Sequence, residues 1–443
     1  MRITLPEIKF EDGFSIQNDI FSRAKLADKI EMIISNLDED NLVFGLDDNW
    51  GDGKTTFLKM WGSKIKEEDK FQFLYFDAFE NDYQDDPFLQ ISSMLYDSID
   101  NDKTDLKKRF LETATKVGKN VLSIGAKIGM HYASAGLLNG SSIEESKDLI
   151  ESTLNEHIDQ YIKDKIVKSE NEKKSIIKFK KTLSELSKDK KIIFVIDELD
   201  RAKPSYSLDL IERIKHIFSA TNVFFILSMN KSQFEKMITK RYGDIDAHRY
   251  LNKFIHLWFS LPNVNDFENG NQKVETYLKH LKNKIKIPYH HKNYSFEPLI
   301  FLSKHHGLAL REIQRCFTQL LLLHTCLNES ASNEDYAAIS IISYISIMDN
   351  ALFKEIKLKK ITREDLILKL TSVHVEDYAP TTDNKNITTI IKCINNELYT
   401  EGEYDREVEV NSALIFKSEW NDQTKPLSFA IKLLDELPIS LPE

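Results

Sequence analysis

An apolar run from Leu42 to Leu46 enters a loop that closes on Gly53-Lys54-Thr55. A glycine loop of this form, between a strand and a helix, holds the phosphates of a nucleotide. The backbone N–H groups of Trp50 to Lys54 would wrap a β-phosphate, because small residues let phosphate approach the main chain closely. Lys54 supplies a cation for the β- and γ-oxygens, and the Thr55 hydroxyl, at a helix N-terminus, suits Mg²⁺. The nucleotide contacts expected here are Asn49, Trp50, Gly51, Asp52, Gly53, Lys54, Thr55 and Thr56. Asp48 stands where the usual pattern has a glycine, five residues before Gly53. A carboxylate about 4 Å from phosphate costs on the order of 4 kcal/mol at an effective dielectric near 20, so Asp48 must point away or face a cation.

The second chemical cluster follows another apolar run, Ile192 to Ile196, which ends in Asp197-Glu198-Leu199-Asp200-Arg201. A run of this kind reads as a buried strand of a parallel sheet, whose carboxyl end opens into the ligand crevice. Asp197 would order the water shell of a metal shared with Thr55, and Glu198 would take the proton of an attacking water. Asp200 is the alternative base.

With both clusters on the page, the chain resembles the KAP family of P-loop NTPases, relatives of the AAA+ and STAND groups. Trp50 to Thr55 matches the family's Trp-Gly-x-Gly-Lys-Thr, and Asp197 to Arg201 matches its Asp-Asp-Leu-Asp-Arg, with Glu198 for the second Asp. More loosely, Phe76 to Asp82 with Pro87 is similar to the family's Asn-Ala-Trp segment, with Asp77 and Phe79 substituted. Val223 to Asn230 resembles the sensor strand, where the family tends to end in Asp; Asn230 would hydrogen-bond a γ-phosphate or the lytic water. Tyr250 to Pro262 resembles the helix and fifth strand that end in a Leu-Pro turn. Gly307 to Arg315 resembles the lid helix that usually begins Pro-Arg, with Ala309-Leu310 in its place. The likeness runs in order over residues 15 to 325.

This resemblance implies an α/β, three-layer P-loop NTPase that binds and hydrolyses ATP with Mg²⁺. It makes Arg311, or Arg315 one turn later, the lid arginine on the γ-phosphate, and Ile20 and Phe21 base contacts in competition with plain core packing. It also implies a homo-oligomer in which Arg249, with Lys253 as fallback, reaches the neighbouring subunit's γ-phosphate. The activity expected is a slow or partner-stimulated ATPase acting as a nucleotide-dependent switch or assembly platform. By resemblance alone its setting is bacterial defence against phage or plasmids, with partner proteins encoded nearby. Three rival readings stay open: a non-catalytic ATP-bound scaffold, motivated by Asp48, a nucleic-acid-stimulated motor, and a GTPase. The last rests on Asn230-Lys231-Ser232-Gln233, where Gln233 lacks the carboxylate that pairs with guanine.

Composition narrows these readings. A formal charge of −10 over 443 residues does not indicate a nucleic-acid partner, although local basic stretches leave one open. Cys316, Cys326 and Cys393 are too few and too far apart for a disulfide framework or a zinc ribbon, which suits a reducing cytoplasm. The start lacks an apolar signal core and no run of about 18 apolar residues follows, so export and membrane association are not expected.

Periodicity places a helix over 16–37 and strands near 42–46, 72–77, 192–196, 222–229 and 254–261. By resemblance, the third and fourth strands flank the loop strand. The expected parts are an NTPase core in two pieces, 1–87 and 189–265, and a large helical insertion, 88–188, between the two motifs. A helical lid, 266–327, and a mostly helical C-terminal region, 328–443, complete the chain. Within the insertion, Gly118, Gly125, Gly129, Ala133, Ala135 and Gly136 form a small-residue tract interrupted by Lys119, Lys127 and His131. It is too broken to span a membrane and suits close helix packing. Lysines of 160–191 alternate with acids and read as a solvated face, whereas Lys279 to Tyr294 is the better phosphate-contact candidate.

Overall fold

The computed structural model describes residues 8–37, 41–83, 86–134, 170–262, 272–285, 296–327, 331–374, 385–398 and 425–437. Its centre is a five-stranded, all-parallel sheet of order β2-β3-β4-β1-β5. The strands are β1 (Val43–Asp47), β2 (Gln72–Asp77), β3 (Ile192–Asp197), β4 (Val223–Met229) and β5 (Leu257–Phe259). The loop strand β1 therefore lies between β4 and β5, and β3 is one place removed, which corrects the expectation that the third and fourth strands flank it. The fifth strand is also shorter than its apolar run, because Phe254 and Ile255 are buried in the turn before it.

Alternation along the strands builds three layers. Ile193 and Val195 of β3 face one side, with Phe44, Phe224 and Ile226, against helices α1 (Ala24–Asn36) and α2 (Lys54–Glu68) through Ile30, Ile34, Phe57 and Trp61. Ile192, Phe194 and Ile196 face the other side, where helices α4 (Pro87–Asp97), α5 (Thr104–Ser134), α6 (170–186), α7 (Pro204–Arg213) and α8 (Lys231–Tyr242) cover them. A short α3 (Ala78–Asn81) follows β2, and α9 (Ala247–Leu251) precedes β5. Burial of both faces explains why the inner strands β1, β3 and β4 read as unbroken apolar runs. Gly45 of β1 is required by contact: a Cβ there would stand 2.3 Å from the Trp258 ring.

Both described ends of the 88–188 segment belong to this sheet layer, since Phe88, Ile91, Phe110, Phe179 and Leu183 share one core with β3 and β4. Gly118 packs against α4, where a Cβ would meet the Phe88 ring at 3.5 Å, in line with a small-residue helix face. The tract from Ala135 onward lies outside the described residues. Lys173, Lys174, Lys178 and Lys181 of α6 are solvent-exposed, as a solvated face requires, while Phe179 and Leu183 turn inward.

The second body is helical: α10 (Gln272–Lys284), α11 (Glu297–His305), α12 (Leu310–Thr325), α13 (Asn333–Met348), α14 (Asn350–Lys357), α15 (Arg363–Thr371), α16 (Lys385–Leu398) and α17 (Pro426–Glu436). One apolar core runs from Val274 through Ile313, Leu320, Ile341 and Leu366 to Leu434. It shows no break near residue 327. Helix α13 is buried on every side, which is why Ile339 to Ile345 carries no amphipathic rhythm. Among the described residues, no helix is long and apolar enough to cross a membrane.

Candidate functional site

The phosphate loop turns through two left-handed glycines, Gly51 (φ 87°) and Gly53 (φ 90°), before α2 starts at Lys54. That conformation is open to glycine and strained for other residues. Lys54 Nζ donates to the carbonyls of Asp48 (2.5 Å) and Asn49 (3.1 Å), so its ammonium lies inside its own loop. Thr55 Oγ1 donates to Glu198 Oε1 at 3.3 Å, which joins the helix start to the end of β3.

Asp197 is held at both oxygens: Oδ1 accepts the Glu198 N–H and Oδ2 accepts the Tyr75 hydroxyl, each at 2.9 Å. Beside it, Glu198 has a left-handed backbone (φ 55°), a strained state for a non-glycine residue, and its carboxylate enters the cleft. Burial raises the Glu198 pKa, the Arg201 guanidinium opposes this, and Asp197, Asp200 and Asp77 add to the rise. Arg201 Nε contacts Glu198 Oε2 at 2.6 Å. Among the described residues no group of three or more His, Cys, Asp or Glu could hold a metal alone. Thr55, Asp197 and Glu198 nevertheless present hard oxygens side by side, which suits Mg²⁺ completed by phosphate and water ligands.

Asp200 stands differently. Its Oδ2 accepts both the Trp50 indole N–H and the Asn230 backbone N–H, the latter at 2.8 Å. Asp200 thereby ties the phosphate loop to the ends of β3 and β4, which leaves Glu198 better placed as a base. Asn230 caps α8: its Oδ1 accepts from Ser232 Oγ (2.8 Å) and the Gln233 N–H (3.2 Å). The guanine-like stretch Asn230 to Gln233 is thus a helix start, and it does not line the cleft.

Lid contacts close the loop from the other side. Leu310 N–H donates to Asp52 Oδ1 (3.3 Å), Lys273 Nζ of α10 reaches the same oxygen at 2.6 Å, and Arg311 N–H donates to the Gly51 carbonyl (3.3 Å). Asp52 lies in the phosphate loop as expected, but its side chain serves the lid. Arg311 lines the cleft with Gln314, whereas Arg315, one turn on, is absent from its lining and borders an adjoining groove with Thr318, Leu322 and Ile347, which Arg311 and Gln314 also line. Ile20 and Phe21 also line the cleft, although they precede α1: the helix expected from residue 16 starts at Ala24, after Asp19 caps the N–H groups of Arg23 and Ala24. Arg249 is away from this cleft, exposed on α9 and paired with Asp246 at 3.2 Å. Lys253 lies past the end of α9, over the Tyr250 ring. Of the basic stretch Lys279 to Tyr294, residues 286–294 lie outside the described residues; His280 and Lys284 line the cleft.

Sequence reasoning missed three participants, Tyr75 on Asp197, Lys273 on Asp52, and Arg23, and did not foresee that Trp50 would bond Asp200. Of these, Tyr75 alone left a signal. It shares a strand face with Asp77, the residue in register with Asp197.

Asp48 resolves the difficulty it posed. Its Oδ1 accepts the Asn49 N–H at 2.9 Å, and it is electrostatically coupled to the buried Arg23 and to Lys273. Burial, and then the charge of Asp52, push its carboxyl up to about 6. A folded pKa above the unfolded one means that the group's contribution to stability is full below pH 3.8 and is lost as pH rises through about 6. Asp48→Asn keeps an oxygen for the Asn49 N–H and removes the charge. It is expected to raise the thermal midpoint at pH 8, with the gain vanishing near pH 4, as scanning calorimetry at both values would read. The displacement from 3.8 to about 6 bounds the gain at about 3 kcal/mol, and solvent screening lowers it.

Comparison with known proteins agrees with this geometry. The model of the KAP family P-loop domain matches residues 23–327. Among solved structures, the chain is similar to the ORC2 protein of Aeropyrum pernix in its ADPNP–ADP complexes. The identity is 11% and the TM-score 0.38, over 98% of this chain and 88% of that one, a likeness too distant to carry an argument. No curated protein matches. On the family match, which spans both phosphate-site motifs, the sheet and the lid, this chain belongs to the KAP family of P-loop NTPases.

Proposed function

We propose that this protein binds ATP with Mg²⁺ and hydrolyses it slowly, as a nucleotide-dependent switch or assembly platform. The observation that carries this reading is one cleft lined by Lys54, Thr55, Asp197, Glu198 and Arg311, with Ile20 and Phe21 at its edge. In it Lys54 and the loop N–H groups hold phosphate, Thr55 and Asp197 serve the metal and its water, Glu198 takes the proton of the attacking water, and Arg311 opposes charge on the γ-phosphate. Mg²⁺ would supply charge neutralisation at the phosphates. The test is direct: nucleotide retained by the purified protein, and phosphate released from ATP and GTP with Mg²⁺. Absence of both binding and release would overturn the reading.

A non-catalytic scaffold is the second reading, favoured by one contact. Arg201 holds Glu198 in an ion pair, so the base is engaged before any water reaches it. ATP retained with no phosphate release would select the scaffold.

We propose assembly through Arg249, whose side chain on α9 is exposed and paired at the surface with Asp246. In a homo-oligomer with composite sites, Arg249→Ala lowers turnover at least tenfold, on the order of one lost charge-assisted contact, and changes ATP affinity little. Mixing it with Glu198→Gln subunits restores part of the activity, because each supplies the half that the other lacks. A monomer at full turnover would exclude this arrangement. Partner proteins encoded nearby and a defence role rest on the family resemblance alone, and partner-dependent stimulation of phosphate release would test them.

A further inference from the structure

We propose that Arg23 is a second cation for the bound nucleotide, one that takes a phosphate oxygen shared by the di- and triphosphate. The proposal rests on the nucleotide site described above and adds to it a residue from outside the phosphate loop.

Arg23 is 3% exposed, immediately before α1, and lines the same cleft as Gly53, Lys54 and Thr56. Its guanidinium lies against the left-handed turn of the loop, with Nη1 at 2.9 Å from the place a Cβ on Gly53 would take. Two of its nitrogens, Nε and Nη2, are buried and have no hydrogen-bond partner. An arginine offers five donors in a fixed planar fork, and buried donors left unmatched are costly. Something is expected to take them.

The neighbouring acids do not. Asp19 spends its carboxylate on the Arg23 and Ala24 N–H groups, and Asp52 accepts from Lys273 and the Leu310 N–H. Asp48 accepts the Asn49 N–H. These three carboxylates still surround the guanidinium closely enough to keep it charged, although burial brings its pKa down to about 10. A charged, buried fork with free donors at the start of a helix suits a phosphate oxygen.

Position in the cleft says which phosphate. The metal side of the loop is marked by Thr55 bonded to Glu198. Arg23 instead stacks over the Phe21 ring at 4.7 Å, beside Ile20 and Thr56. Arg23 thus stands with Ile20 and Phe21, the expected base contacts, and not at the Thr55–Glu198 pair.

Binding of ATP, ADP and AMP to the full chain, read by calorimetry for the natural sequence, Lys54→Ala, Arg23→Met and Arg23→Lys, tests the inference. Arg23→Met is expected to weaken ATP and ADP alike, by about ten- to a hundredfold. Arg23→Lys, which keeps the charge and loses the fork, should fall between. The thermal midpoint without nucleotide should not fall in Arg23→Lys, which separates a ligand contact from a structural one. Unchanged affinities in both variants would overturn the proposal, as would a loss confined to ATP. If the natural sequence binds no nucleotide, the underlying site reading fails instead. If it binds, and only Lys54→Ala does not, that reading stands and Arg23 is excluded.

Discussion

Lys54→Ala is expected to weaken ATP binding by at least about a hundredfold, beyond the reach of ordinary calorimetry, while the protein stays folded. The Lys54 ammonium is bonded to two neutral carbonyls, of Asp48 and Asn49, inside the curl of the loop. Phosphate oxygens are charged acceptors, and hydrogen bonds to them are roughly twice as strong. Alanine removes every such bond. The fold should survive, because Asp48 is half-buried and Asn49 exposed, so water replaces the lost donor. Circular dichroism melts would check the fold and calorimetry the affinity. A folded variant with unchanged affinity would take the phosphate loop out of the mechanism.

Glu198→Gln should retain ATP binding and slow phosphate release by about a hundred- to ten-thousandfold, the range of a lost general base. The amide keeps the shape and still accepts from Thr55, but it cannot take a proton. Asp200→Asn is expected to behave otherwise. Its Oδ2 accepts two N–H donors at once, so one of its effects is to loosen the Trp50 indole and with it the loop. That variant should lose affinity more than rate. Single-turnover kinetics separate the two, and normal turnover in Glu198→Gln beside a stalled Asp200→Asn would reverse the assignment of the base.

What the sequence disclosed, and what it hid, follows from physical range. Strands buried on both faces announce themselves, so β1, β3 and β4 fall within about one residue of their apolar runs, as does the half-buried edge strand β2 through Phe73 to Phe76. The two phosphate-site motifs are local: each needs only adjacent residues and one backbone turn. By contrast, Tyr75 meets Asp197 across 122 positions, and Lys273 meets Asp52 across 221. Pairings at that separation depend on strand order and lid docking, which no local pattern encodes. Helix α1 shows a smaller failure. Ile20 and Phe21 kept helical spacing with Ile30 and Ile34, yet Asp19 captures the Arg23 and Ala24 amides and fixes the helix start after them. The side chain of Asp52 was hidden for a similar reason, since its bond to the lid requires α10 and α12 to be docked on the loop.

The continuous apolar core of the helical body has a practical reach. The family match ends at residue 327, yet Leu320, Leu321 and Leu323 of α12 are buried in the same core as Tyr336, Ile341 and Leu434. A gene fragment cut at that boundary would put the inner flank of α12 in water, losing about 1.5–3 kcal/mol for each large side chain uncovered. The recognisable domain thus shares its helical core with residues beyond its boundary. A frameshift or stop codon soon after residue 327 would damage the nucleotide lid through lost packing and not through chemistry. By the same coupling, any macromolecule that grips the C-terminal helices takes hold of a body whose other end carries Arg311 and Lys273.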